Sequence, residues 1–79
     1  MELWIRSQDR ETLRLAEMLD IYEIEDDEEK RFVIEESGVD IGCYKSKERA
    51  LKVLDNIQHW LLQTNENKQQ VIVYEMPQE

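Results

Sequence analysis

Cys43, His59, an acidic run at 23–29 and a basic cluster at 45–52 are the residues of this chain whose types could do chemistry. Nucleophilic catalysis needs an activated Ser, Cys or Lys with a base in reach and a group that orients the base. Asp55 precedes His59 by four residues, the spacing of neighbours on one helix face, so an Asp–His contact is available. Such pairs commonly decorate a helix surface. Cys43 alternates with inward strand positions and reads as a small buried apolar side chain. No catalytic residue is assigned. One Cys and one His fall short of a four-ligand zinc site, and a single Cys forbids an internal disulfide. The run EIEDDEE lacks the alternating oxygen ligands and the central glycine of a calcium loop. Neither a metal site nor a cofactor is expected.

The charged clusters point instead to binding. Glu23, Glu25, Asp26, Asp27, Glu28 and Glu29 put six of the nineteen acids within seven residues. Like charges at that density repel one another and mark a solvated turn. Lys45, Lys47, Arg49 and Lys52 put four of the ten bases within eight residues. The chain is therefore bipolar: a basic partner would seek the first region, a phosphate or carboxylate the second. Lys45, Lys47 and Arg49 coincide with the start of a helix, where free N–H groups and the helix dipole favour an anion. With Arg6 they form a weak candidate anion site. No glycine-rich loop accompanies it, and the same bases can pair with the protein's own acids. Trp4, Trp60 and Tyr74 lie beside the apolar faces of their elements, where aromatics either edge a core or anchor an interface.

Composition narrows the partners further. The 79 residues carry a net charge of −9, the wrong sign for binding nucleic acid directly or for an anionic membrane surface. Such a field steers a protein toward basic protein surfaces, and it also serves solubility. No apolar run approaches the ~20 residues that span a bilayer, and the first residues lack the pattern of a secretion signal. A cytoplasmic protein is expected. The length suits one domain over 1–79, burying roughly 60% of its unfolded surface. So thin a core would gain from self-association, as a homodimer or a higher oligomer.

The elements that must position these groups follow from periodicity. Glu2–Ser7 alternates Leu3 and Ile5 against Trp4 and Arg6, which predicts a strand. Ser7, Gln8 and Asp9 read as a turn. Residues 11–25 are ambiguous: RETLRLAEML favours a helix, yet the apolar positions leave no 3.6-residue stripe. A strand with a bulge near Ala16–Met18 fits them better. The acidic run then makes a hairpin loop. Lys30–Glu36 and Val39–Tyr44 read as strands joined at Ser37–Gly38, with Gly42 marking a bulge or a close backbone approach. Ser46 caps a helix over Lys47–Gln63, whose stripe is Ala50, Val53, Leu54, Ile57 and Leu61. A polar link at 65–69 leads to a last strand over Gln70–Met76, ended by Pro77. The expected class is α+β: a small two-layer domain in ββββαβ order, with an antiparallel sheet of about five strands and one helix packed on one face.

Three segments, WIRSQDRETL at 4–13, IGCYKSKERALKVLDNIQ at 41–58 and VYEMPQE at 73–79, carry a resemblance. Together they resemble a family of short uncharacterised proteins of low-GC Gram-positive bacteria and their phages and mobile elements. The resemblance covers about half the chain and leaves out the acidic middle. It favours the strand reading of 11–25, implies a compact accessory protein, and supplies no catalytic residue. The expected function is a non-enzymatic protein-binding module that presents Glu25, Asp26, Asp27, Glu28 and Glu29, with Trp4, Trp60 and Tyr74, to a partner. In its sharpest form the acidic run mimics nucleic acid to occupy a host nucleic-acid-binding or defence protein. The alternatives are a binder of a small phosphorylated ligand such as a nucleotide at the helix N-terminus, and a purely structural self-assembling protein.

Overall fold

A computed structural model describes residues 2–66 and 71–79. Strands β1 (Glu2–Arg6), β2 (Leu13–Leu15), β3 (Leu19–Asp26), β4 (Glu29–Glu36) and β5 (Val39–Tyr44) precede helix α1 (Lys47–Glu66), and strand β6 (Val71–Glu75) follows it. The strands form two sheets of three, ordered β2-β1-β6 and β3-β4-β5. In the first, β1 pairs antiparallel with β2 and parallel with β6. The second is an antiparallel meander. The fold is a small α+β domain. Most of the polar link expected at 65–69, and Gln70, lie outside the described residues.

One core joins both sheets to the helix. Leu3 and Ile5 of β1, Ile34 of β4, and Ile41 and Tyr44 of β5 meet Ala50, Val53 and Ile57 of α1, with Met76 closing the end beyond β6. The helix earns its place by its stripe: Ala50, Val53 and Ile57 recur at three- and four-residue spacing and are fully buried. Ser46 starts it, its hydroxyl accepting the Arg49 N–H at 3.0 Å. Among the described residues, no helix is long and apolar enough to cross a membrane.

The segment expected as one bulged strand over 11–25 is two strands in different sheets, β2 and β3. The change of apolar face near Ala16–Met18 is a change of sheet. Ala16 N–H donates to the Leu3 carbonyl at 2.9 Å, ending the pairing with β1. Two residues on, the Met18 carbonyl accepts from Ser37 N–H at 2.8 Å, beside the β4–β5 turn. The strands expected in one antiparallel sheet are divided for this reason, and β6 joins the free side of β1 in parallel.

A bulge does occur, in β5. Ile34 faces Gly42 while Glu35 faces Asp40, so Ile41 is the extra residue and turns into the core. Gly42 is a close approach as well: a Cβ there would lie 2.8 Å from Met76 Cε and 2.9 Å from Tyr44 Cε2. Both hairpins of the second sheet close through two residues with positive φ, Asp27 (47°) with Glu28 (68°) and Ser37 (49°) with Gly38 (86°). Turns of this kind match the right-handed twist of the strands they join.

Candidate functional site

The acidic run is the tip of the β3–β4 hairpin rather than a loop. Glu23, Glu25 and Asp26 belong to β3, Asp27 and Glu28 make the turn, and Glu29 opens β4. Every residue from Tyr22 to Lys30 is exposed, so this end of the hairpin extends past the core on both faces. Its register sets Glu25 opposite Lys30 and Ile24 opposite Arg31. Arg31 pairs with Glu29 at 3.0 Å. Among the described residues, no ion pair engages Glu23, Glu25, Asp26, Asp27 or Glu28. Lower on the arm the Tyr22 hydroxyl donates to both carboxylate oxygens of Asp40 at 2.8 Å. That hydrogen bond, then burial and the nearby carboxylates, hold the phenol above its usual range.

The turn itself is informative. Two successive positive φ angles suit Asn-Gly or Asp-Gly, because a Cβ in the left-handed region crowds the backbone. Glu28, at 68°, occupies the position where glycine fits best. A strained acid at the turn of the arm keeps a charge at the position where local geometry favours glycine.

The three aromatics do not come together. Trp4 sits on the outer face of the β2-β1-β6 sheet and donates through Nε1 to Glu2 at 3.1 Å. Tyr74 faces inward and packs against the core; burial raises its pKa, opposed by a hydrogen bond with Asn56 and by Arg49. Trp60 is on α1, edge-on to His59 with ring centroids 5.8 Å apart. Cys43 is half-buried. Among the described residues, no three His, Cys, Asp or Glu side chains are grouped to hold a metal ion.

The basic residues also divide. Lys45 and Arg49 line a cleft of about 330 Å³ together with Arg31, which the linear sequence places far away. The β4–β5 register explains it: Phe32 faces Tyr44, so Arg31 stands beside Lys45. Counting back from the Ser37–Gly38 turn sets Arg31 opposite Tyr44; the bulge at Ile41 shifts the register by one residue and brings it to Lys45. Arg49 Nε donates to the Glu79 main-chain carbonyl at 2.7 Å. Arg6 lies elsewhere, opposite Glu75 on the outer face of the first sheet, and Lys47 is exposed outside the cleft.

Two further residues carry no periodic signal. Glu36 is 1% exposed and accepts from Arg14 Nε at 2.7 Å, from Ser37 Oγ, and from the N–H groups of Glu17 and Met18 at 3.2 and 3.3 Å. Burial pushes its pKa up, but these donors together hold it below the ordinary value. Gln8 joins the two sheets through its side-chain amide. No family model matches this chain, and neither a curated protein nor a solved structure matches it.

Proposed function

We propose that the chain is a non-enzymatic protein-binding module, an accessory protein of a phage or mobile element, that presents its acidic hairpin to a basic protein surface. The observation that supports this reading is the β3–β4 tip. Five carboxylates that form no ion pair among the described residues are held at the end of an exposed arm, two of them on its two-residue turn. Fixed, desolvation-free charge of this kind speeds encounter with an oppositely charged partner and sets its orientation. A host protein whose basic groove ordinarily holds nucleic acid fits that chemistry. The test is retention of basic proteins from a Gram-positive host lysate at low salt. The wild type should hold a partner that elutes as salt rises, and D26N/D27N/E28Q/E29Q should lose it. Equal retention by the two would remove the hairpin from the interface.

A second reading follows from the cleft of Arg31, Lys45 and Arg49, whose three cations favour a phosphorylated small molecule. A nucleotide panel at millimolar concentration should then raise the melting temperature of the wild type and leave R49A unmoved. No rise in the wild type would eliminate this reading.

A further inference from the structure

We infer that the outer face of the β2-β1-β6 sheet is the interface of a symmetric homodimer, with Trp4 of each copy at the two-fold axis and Glu2 of one copy meeting Arg6 of the other. This surface shares no residue with the acidic hairpin, so the two readings stand or fall separately.

The middle of the face is apolar across all three strands. In β1, Leu3 and Ile5 point into the core, which leaves Glu2, Trp4 and Arg6 outward. Trp4 is the middle residue of the middle strand, and the register places Leu15 on one side of it and Val73 on the other. Leu13 and Val71 extend this row toward opposite ends. Val71 is 63% exposed and Val73 51%. The helix packs against the opposite side, where Leu3, Ile5, Ile72 and Tyr74 lie, so no described element covers the outer one. A sheet with two apolar faces is expected to be covered on both.

Charge selects the occupant. Glu2 marks one end of β1 and Arg6 the other, with Arg10 near Arg6 and paired to Glu75 at 3.6 Å. A two-fold axis running across the strands through Trp4 sets the Leu15–Trp4–Val73 row upon itself. The same operation places Glu2 against the second copy's Arg6. An axis along the strands would set Glu2 on Glu2 and Arg6 on Arg6. Of the two arrangements only the first brings Glu2 of one copy to Arg6 of the other, and it does so twice, as an isologous interface would. A basic partner, the kind the acidic hairpin attracts, would meet Arg6 and Arg10 at one end of it, with the single carboxylate of Glu75 between them.

The patch is small. Three strands of five residues or fewer measure about 14 by 17 Å, well below the ~800 Å² per partner of a standard interface. The net charge of −9 also opposes approach at long range. The dimer is therefore weak, populated at roughly hundreds of micromolar, and favoured by moderate salt that screens the repulsion.

Sedimentation equilibrium from about 20 μM to about 1 mM tests this directly. The wild type should rise from monomer toward dimer and no further. V73K, whose side chain points away from the core, should stay monomeric while melting as the wild type does. E2R and R6E should each weaken association about tenfold or more, and the double swap E2R/R6E should restore it. A wild type that is monomeric at 1 mM, or a V73K protein that still dimerises, would overturn the interface. A double swap that fails to recover would overturn the antiparallel arrangement.

Discussion

The side chain of Gln8 pairs with the backbone of Cys43 as a neighbouring strand would. Cys43 N–H donates to Gln8 Oε1 at 2.8 Å, and Gln8 Nε2 donates back to the Cys43 carbonyl at 3.2 Å. The Gln8 N–H reaches the Ile41 carbonyl at 2.7 Å. Nε2 also approaches the carbonyls of Pro77 and Gln78, while Gln78 Nε2 donates to the Gln8 carbonyl at 2.8 Å. One amide thus satisfies the free edge of β5 and ties the second sheet to the end of the first.

Replacing Gln8 should therefore loosen the joint between the sheets. Q8A is expected to lose about 2 kcal/mol, because the Cys43 main-chain groups lose their partner. Q8E should lose more, since a carboxylate would face the carbonyls of Cys43, Pro77 and Gln78. Urea unfolding measures both, and faster amide exchange at Cys43 would place the defect at the β5 edge.

Glu36 predicts an acid-sensitive joint between β2 and the β4–β5 turn. Its folded pKa lies below the ordinary value of 4.5 because its donors outweigh burial. Its stabilisation is accordingly present above the unfolded pKa and is lost as pH falls through the folded one. E36Q, which removes the charge paired with Arg14 and replaces one acceptor oxygen with an amide nitrogen, should cost about 2–3 kcal/mol at pH 7. The difference from the wild type should shrink as pH drops below 4.5, as read from melting temperatures across that range.

The Asp27–Glu28 turn should trade stability against recognition. D27N/E28G suits two positive φ angles and should raise stability by about 1 kcal/mol. It removes two charges from the tip, so salt-sensitive association with a polylysine peptide should weaken. A variant that gains stability and binds polylysine unchanged would show that the strained acids serve no charge-based contact.

Tyr44 should mark the alkaline limit of the fold. Burial raises its hydroxyl to about 12, further helped by Tyr74 and opposed by Arg49, and the hydroxyl donates to the Pro77 carbonyl at 2.8 Å. A raised folded pKa gives stability that is complete below the unfolded value near 10 and is lost as pH rises toward 12. Ultraviolet titration should find its ionisation coupled to unfolding. Y44F should remove that step and cost about 1 kcal/mol at neutral pH.

Local periodicity by itself determined much of this protein. Leu3 and Ile5 alternate inward, Ala50, Val53 and Ile57 recur as a helical stripe, and Ser37–Gly38 closes the β4–β5 hairpin. Each of these is decided by residues a few positions apart, so side-chain pattern and turn chemistry suffice. The acidity of 23–29 was legible for the same reason, as was its place at a hairpin tip.

Only the tertiary structure decided how the elements meet. The switch of sheet at Ala16–Met18 mimics a bulge in one dimension, because both reverse the apolar face. The parallel pairing of β1 with β6 joins residues about seventy positions apart, and no local signal specifies it. That pairing puts Val73 beside Trp4 and makes an apolar face from two half-exposed strands. It also separates Trp4 from Tyr74, which period-two alternation sends to opposite sides of the same sheet. Gln8 and Glu36 are polar residues in a turn and a strand, ordinary by composition. Their roles arise from burial and from partners brought by chain folding, which sequence spacing does not record.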